Sequence, residues 1–116
     1  MLGYLQILTN IDIPVEQQKR VLADASKLTS SLLGKPESYV MVSLQPKVPM
    51  LFGGTDAPTA FLALKSVRLP ATRTAEFSSK LCSFIEQQLQ IPKDRICIEF
   101  VSPEGSMWGW RGGVSS

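Results

Sequence analysis

Histidine is absent from the 116-residue chain, and cysteine occurs only as Cys82 and Cys97. With no CxxC spacing and no imidazole, the sequence offers neither a disulfide framework nor a metal centre, and no cofactor is expected. Both thiols are read as reduced and buried, one on a predicted helix and one in a predicted strand. An excess of one charge is also missing. Lys+Arg 12 against Asp+Glu 10 gives a net charge of +2, so nucleic acid and anionic membrane are not expected partners. Long apolar runs are lacking too, because Gly and Pro interrupt them; no membrane span is expected. The first residues lack the basic region, apolar region and cleavage site of a secretory leader, so the expected location is cytoplasmic.

What is present is a doubled pattern in a single domain covering 1–116. Pro14 and Pro36 recur 56 positions later as Pro70 and Pro92. Val21, Ala25, Leu28 and Leu33 land on Phe77, Leu81, Phe84 and Leu89, and Tyr39-Val40-Met41-Val42 lands on Arg95-Ile96-Cys97-Ile98. Such spacing predicts one strand–helix–strand unit used twice, in halves of about 3–58 and 59–101, with a C-terminal hairpin over 102–116. Helices are expected after Pro14, ending at Gly34, and over Arg73 to Leu89. Strands are expected at Tyr4–Thr9, Tyr39–Leu44, Thr59–Val67 and Arg95–Val101, with a short extended piece at Val48–Phe52.

The fold class read from this is α/β (α+β): a tandem β-α-β repeat giving a four-stranded sheet with two helices on one face. Phe61, Leu62 and Leu64, like Val40, Met41, Val42 and Leu44, place apolar residues on both sides of their strands. A second sheet face of that kind needs a cover, and another copy of the chain is the simplest one.

Several segments resemble one family. Thr9-Asn10-Ile11, Leu33-Gly34-Lys35-Pro36-Glu37-Ser38-Tyr39-Val40-Met41, Met50-Leu51-Phe52-Gly53-Gly54-Thr55, Pro92-Lys93-Asp94-Arg95-Ile96 and Trp108-Gly109-Trp110 look like macrophage migration inhibitory factor and D-dopachrome tautomerase, of the tautomerase superfamily. The resemblance covers nearly the whole chain. It implies a mixed four-stranded sheet assembled as a homotrimer. It also implies keto–enol tautomerisation of aromatic keto acids such as phenylpyruvate, by an amino-terminal proline of lowered pKa. Export without a signal peptide is a further property of the family.

Carried over by position, the resemblance puts Gly3 where that proline stands, behind Met1 and Leu2. Leu2 is expected to block removal of Met1, so Gly3 nitrogen would be an amide and not a base. The free amine of Met1 would be displaced by up to roughly 7 Å along the strand. No proline occurs before Pro14, so a later start does not restore one. Lys35 matches the carboxylate-holding lysine, and Ser66 and Val67 match the stretch whose backbone contacts substrate. Cys97 and Glu99 stand where mammalian members place a site tyrosine and asparagine, and Thr59 and Leu62 replace the family's CxxC.

Each residue also has a structural reading. Lys35 follows a helix, where a cation meets the carboxyl end of the dipole. Trp108 and Trp110, alternate residues on a strand, are read first as interface packing and second as ligand-stacking groups. Glu99 is a solvated edge residue or a charge paired in a pocket, with Lys35 as the suggested partner. The functional expectation is a tautomerase-family trimer with weak or lost activity. The rival is a non-catalytic, cytokine-like or small-molecule-binding trimer with a protein receptor.

Overall fold

A computed structural model describes residues 2–115. The elements run β1 (Gly3–Thr9), α1 (Val15–Leu33), β2 (Val40–Gln45), β3 (Ala60–Ser66), α2 (Thr74–Leu89), β4 (Ile96–Val101) and a small hairpin, β5 (Gly109–Trp110) with β6 (Gly113–Val114). Four strands form one sheet in the order β2-β1-β3-β4. Within each half the strands are parallel across their crossover helix, and the halves meet where β1 and β3 pair antiparallel. The chain has the α+β architecture expected of the repeat.

Period-2 burial on β1 and 3.6-residue burial on the helices put one core between sheet and helices. Leu5, Ile7, Leu62 and Leu64 meet Val21, Ala25 and Leu32 of α1 and Phe77, Leu81, Ile85 and Leu89 of α2. Both helices therefore cover the same face. Each such side chain fully withdrawn from water contributes about 1.5–3 kcal/mol before the entropy of ordering it is counted. Gly34 ends α1 in the left-handed region at φ 65°, returning the amides of Gly34 and Lys35 to Ser31 and Ser30 carbonyls, which is the reason a glycine stands there. No described helix is long and apolar enough to cross a membrane.

Several expectations are corrected. The second helix begins at Thr74, because Pro70 starts a 3-10 turn over Ala71–Arg73 that ends in it. Tyr39 and Arg95 close 3-10 turns rather than opening strands. Val48–Phe52 forms no strand: the Val48 amide bonds back to Thr9 carbonyl, and Phe52 bridges only Thr55 across the Gly53-Gly54 turn. The open face of the sheet is not uniformly apolar. Register places Met41, Tyr4 and Lys65 in one row, Ser43, Gln6, Ala63 and Glu99 in the next, and Gln45, Leu8, Phe61 and Cys97 in the last. The apolar neighbours Leu62 and Leu64 belong to the helix side, since a strand turns alternate residues to opposite faces. Cys97 is exposed and Cys82 half-buried, so the pair is unbonded but not interior.

Candidate functional site

The expected site residues gather at the corner where β1 begins and α1 ends. Gly3 lies buried between Val40 on β2 and Ser66 on β3. A methyl group on Gly3 would lie 2.5 Å from Leu33 Cδ1 and 3.9 Å from Lys35 Cδ. The last turn of α1 thus packs directly on the strand, and a side chain at Gly3 would have to displace the end of Leu33.

Beyond the Gly34 turn, the Lys35 side chain runs back over this corner. Its Nζ donates to Ser66 Oγ at 2.9 Å. Ser66 hydroxyl in turn donates to Val67 carbonyl at 3.3 Å. Ser66 is 2% exposed and Val67 6%, so the half-buried Lys35 is bonded to an interior hydroxyl. Burial pushes the Lys35 ammonium below the ordinary lysine pKa, because partial desolvation disfavours the charged form. Val67 also lines a polar cleft of about 280 Å³ with Arg68, Ser102, Pro103, Glu104 and Gly105.

The C-terminal segment folds onto the same corner. Trp108 indole donates to Leu2 carbonyl at 2.7 Å. That carbonyl belongs to the peptide bond whose nitrogen is Gly3's, so the Leu2–Gly3 peptide is held by a hydrogen bond. Ser115 fixes Trp108 in turn, its amide and its hydroxyl both donating to Trp108 carbonyl. Trp110 sits edge-on to Tyr39, with centroids 5.2 Å apart and planes at 81°. Arg111 lies 4.4 Å above the Trp110 ring, in the range of a cation–π contact.

Gly3, Lys35, Ser66, Val67 and Trp108 are therefore brought together, with Trp110 beside them through Tyr39. Cys97 and Glu99 are not. They occupy the open face of the edge strand β4, opposite Phe61 and Ala63. The expected pairing of Glu99 with Lys35 does not occur within the protomer, because Lys35 Nζ turns to Ser66 on the helix side of the sheet while Glu99 points the other way. Cys97 instead lines an apolar cleft of about 240 Å³ with Met50, Leu51, Phe52 and Phe61. Met1, whose amine was the remaining candidate base, lies outside the described residues.

Leu33, Tyr39 and Leu2 carbonyl were missed by the reading of the sequence. Leu33 carried a signal, being the last apolar residue before the Gly-Lys turn. A backbone carbonyl taking an indole proton from 106 residues away has none.

These features coincide with one family. A family profile described as macrophage migration inhibitory factor (MIF) matches residues 2–116. The macrophage migration inhibitory factor homolog of Trichinella spiralis is 36% identical over 108 residues, covering 90% of this chain and 91% of the relative. D-dopachrome decarboxylase-B of Xenopus laevis is 34% identical over 117 residues, covering 96% and 95%. Among solved structures, a macrophage migration inhibitory factor homologue from Prochlorococcus marinus superposes with a TM-score of 0.91 at 39% identity, covering 97% of this chain and 99% of that one. Sequence and fold agree, and the chain belongs to the macrophage migration inhibitory factor family.

Proposed function

We propose that this member keeps the family's ligand corner but has weak or no tautomerase activity toward phenylpyruvate-type aromatic keto acids. One observation carries the reading: where the family places a proline amine, this chain has the Leu2–Gly3 peptide, with its carbonyl bonded to Trp108 indole. An amide nitrogen has no basic lone pair, so it cannot exchange a proton between the carbon and oxygen of a keto acid. The groups that remain to engage a small acid are Lys35 and Ser66, with Val67 and the indole of Trp108 beside them.

The reading includes a homotrimer. Met41, 52% exposed, and half-buried Tyr4, Leu8 and Phe61 lie on the open face of the sheet, which a further copy would cover. In such an assembly Cys97 and Glu99 reach a ligand corner only as residues of a neighbouring copy. Two free thiols, one of them exposed, suit a reducing compartment such as the cytoplasm.

A ketonisation assay with phenylenolpyruvate tests the proposal. The expected rate is near the uncatalysed background; robust turnover by the unaltered chain would overturn it. Changing Gly3→Pro in a chain that starts at that position, with Leu33→Ala to make room, is expected to raise the rate. Sedimentation is expected to give a trimer, and a stable monomer would remove the assembly from the reading. A non-catalytic binder is the second reading, favoured by the survival of the Lys35–Ser66 pair beside a position without an amine.

A further inference from the structure

We propose that the open face of the sheet docks a second copy of this chain through an ion pair between Lys65 of one copy and Glu99 of the next. The inference rests on the reading of the chain as a homotrimer, and it names the residues that fix how the copies join.

Three rows of side chains make up this face. The outer rows supply apolar surface: exposed Met41 with half-buried Tyr4 in one, half-buried Leu8 and Phe61 with exposed Cys97 in the other. Past the last row that surface continues, since Phe61 and Cys97 share a cleft of about 240 Å³ with Leu51 and Phe52, which are 73% and 42% exposed. Arg95 fixes the Phe52 side of the cleft, donating to Phe52 carbonyl with its guanidinium 5.3 Å from the ring centroid. Tyr4 hydroxyl is matched by Ser43 Oγ at 2.6 Å. The charged residues of the three rows are Lys65 and Glu99. They stand on neighbouring strands two positions apart, Lys65 opposite Val101 and Glu99 opposite Ala63. Among the described residues neither has an ion-pair or hydrogen-bond partner, whereas Lys19, Lys80 and Lys93 are each paired within the chain.

These two charges decide what can cover the face. Lipid would bury both without a counter-charge, which is costly. A second copy brings the opposite sign to each, Glu99 for Lys65 and Lys65 for Glu99. In a closed ring of three, every junction then sets Lys65 of one copy beside Glu99 of the next, and no charge is left over. Diagonal neighbours on one sheet face are within reach of a long side chain, yet within the protomer these two stay apart, so both remain for a partner. The apolar residues around them supply contact area but little direction, because burial of apolar surface is non-directional. Opposite charges at a junction add the register, since a slipped arrangement leaves them unmatched.

Sedimentation of the full chain and its charge-reversed variants over a range of concentrations tests the pair. The unaltered chain is expected to be a trimer. Lys65→Glu and Glu99→Lys each place like charges at the junction, and each is expected to weaken assembly at least about tenfold. Both changes in one chain are expected to restore it. Mixing the two single variants in equal amounts is expected to restore it in part, because two of the three junctions in a mixed ring then join opposite charges. Assembly of both single variants as tight as that of the unaltered chain would overturn the inference and leave the homotrimer standing. Rescue in the doubly altered chain without rescue on mixing would put the pair within one copy and overturn it as well. A stable monomer of the unaltered chain would remove both the pair and the homotrimer, and its co-sedimentation with phosphatidylcholine vesicles would give the face to lipid. Circular dichroism checks that each variant folds. Should a reversal fail to fold, Glu99→Gln decides in its place: weakened assembly is expected, and unchanged assembly would overturn the inference.

Discussion

The two halves share a plan but finish their helices differently. In the first, Leu33, Gly34 and Lys35 end α1 beside the Gly3–Val40 pair; in the second, Leu89, Gln90 and Ile91 end α2 beside the Ala60–Ile96 pair. Both turns use the left-handed region, at φ 65° for Gly34 and φ 55° for Gln90. Ile91 is 0% exposed and Ala60 1%, so the second corner closes as ordinary core. The first corner has a glycine and a lysine in the same places, with Ser66 for the lysine to reach. The second half closes its corner with apolar side chains, and the first half departs from that closure at Gly3, Lys35 and Ser66.

Tyr39 and Arg95 extend the comparison, since they lie 56 positions apart at matching turns. Each receives a segment from outside its own β-α-β unit. Arg95 donates to carbonyls of Phe52, Thr55, Ala57 and Pro58, which organises the Gly53-Gly54 turn in the segment between β2 and β3. Tyr39 packs on Trp110 of the segment that follows the second.

The contrast between the corners is broken most severely by exchanging their residues. Ile91→Lys is expected to cost about 3–5 kcal/mol by burying a charge without a partner, whereas Lys35→Ile should leave stability almost unchanged; urea unfolding of both variants measures the asymmetry. Arg95→Ala is next. Loss of its charge-assisted bonds should cost about 2–3 kcal/mol and speed amide exchange at Phe52 and Thr55 while leaving Trp110 in place. Gly3→Ala should cost about 1 kcal/mol, since the clash falls on the mobile end of Leu33 and not on backbone. A double-mutant cycle with Leu33→Ala should recover part of that loss.

The smallest effect is on the surface of α2. Arg73 and then Lys80 hydrogen-bond Glu76 and pull its carboxyl down to about 2 from 4.5. A depressed carboxyl stabilises the fold above its unfolded value, and that contribution is lost as pH falls from about 4.5 toward 2. Because Glu76 is exposed, solvent and salt screen the effect. Glu76→Gln should slightly flatten the acid limb of a pH–stability profile without changing the plateau near neutrality.

Much of the fold was legible because periodic burial is a local property. The stripe Val21, Ala25, Leu32 and its counterpart Phe77, Leu81, Ile85, Leu89 are in the core, and Gly34 ends its helix as expected. The two-sided apolar character assigned to the strands holds only in part: Met41 and Phe61 do lie on the open face, but Ser43, Gln6, Lys65 and Glu99 share it, and which residues sit side by side depends on register. That Gly3, Lys35, Ser66 and Val67 would be neighbours was legible through the resemblance, and the structure does bring them together. Of the two readings of Glu99, the solvated edge residue is the one that the edge strand β4 gives, and the pairing with Lys35 fails because register parity turns the two to opposite faces.

Sequence alone determined the doubled unit, its helix ends and the absence of a proline from the first strand, since all three depend on residue identity at fixed spacing. Tertiary structure decided that the Lys35 amine rests on Ser66 hydroxyl and that Trp108 bonds the Leu2–Gly3 peptide. Those contacts join residues 31 and 106 positions apart. They follow from how the helix ends and the C-terminal segment pack against the sheet, and no local pattern in the chain encodes them.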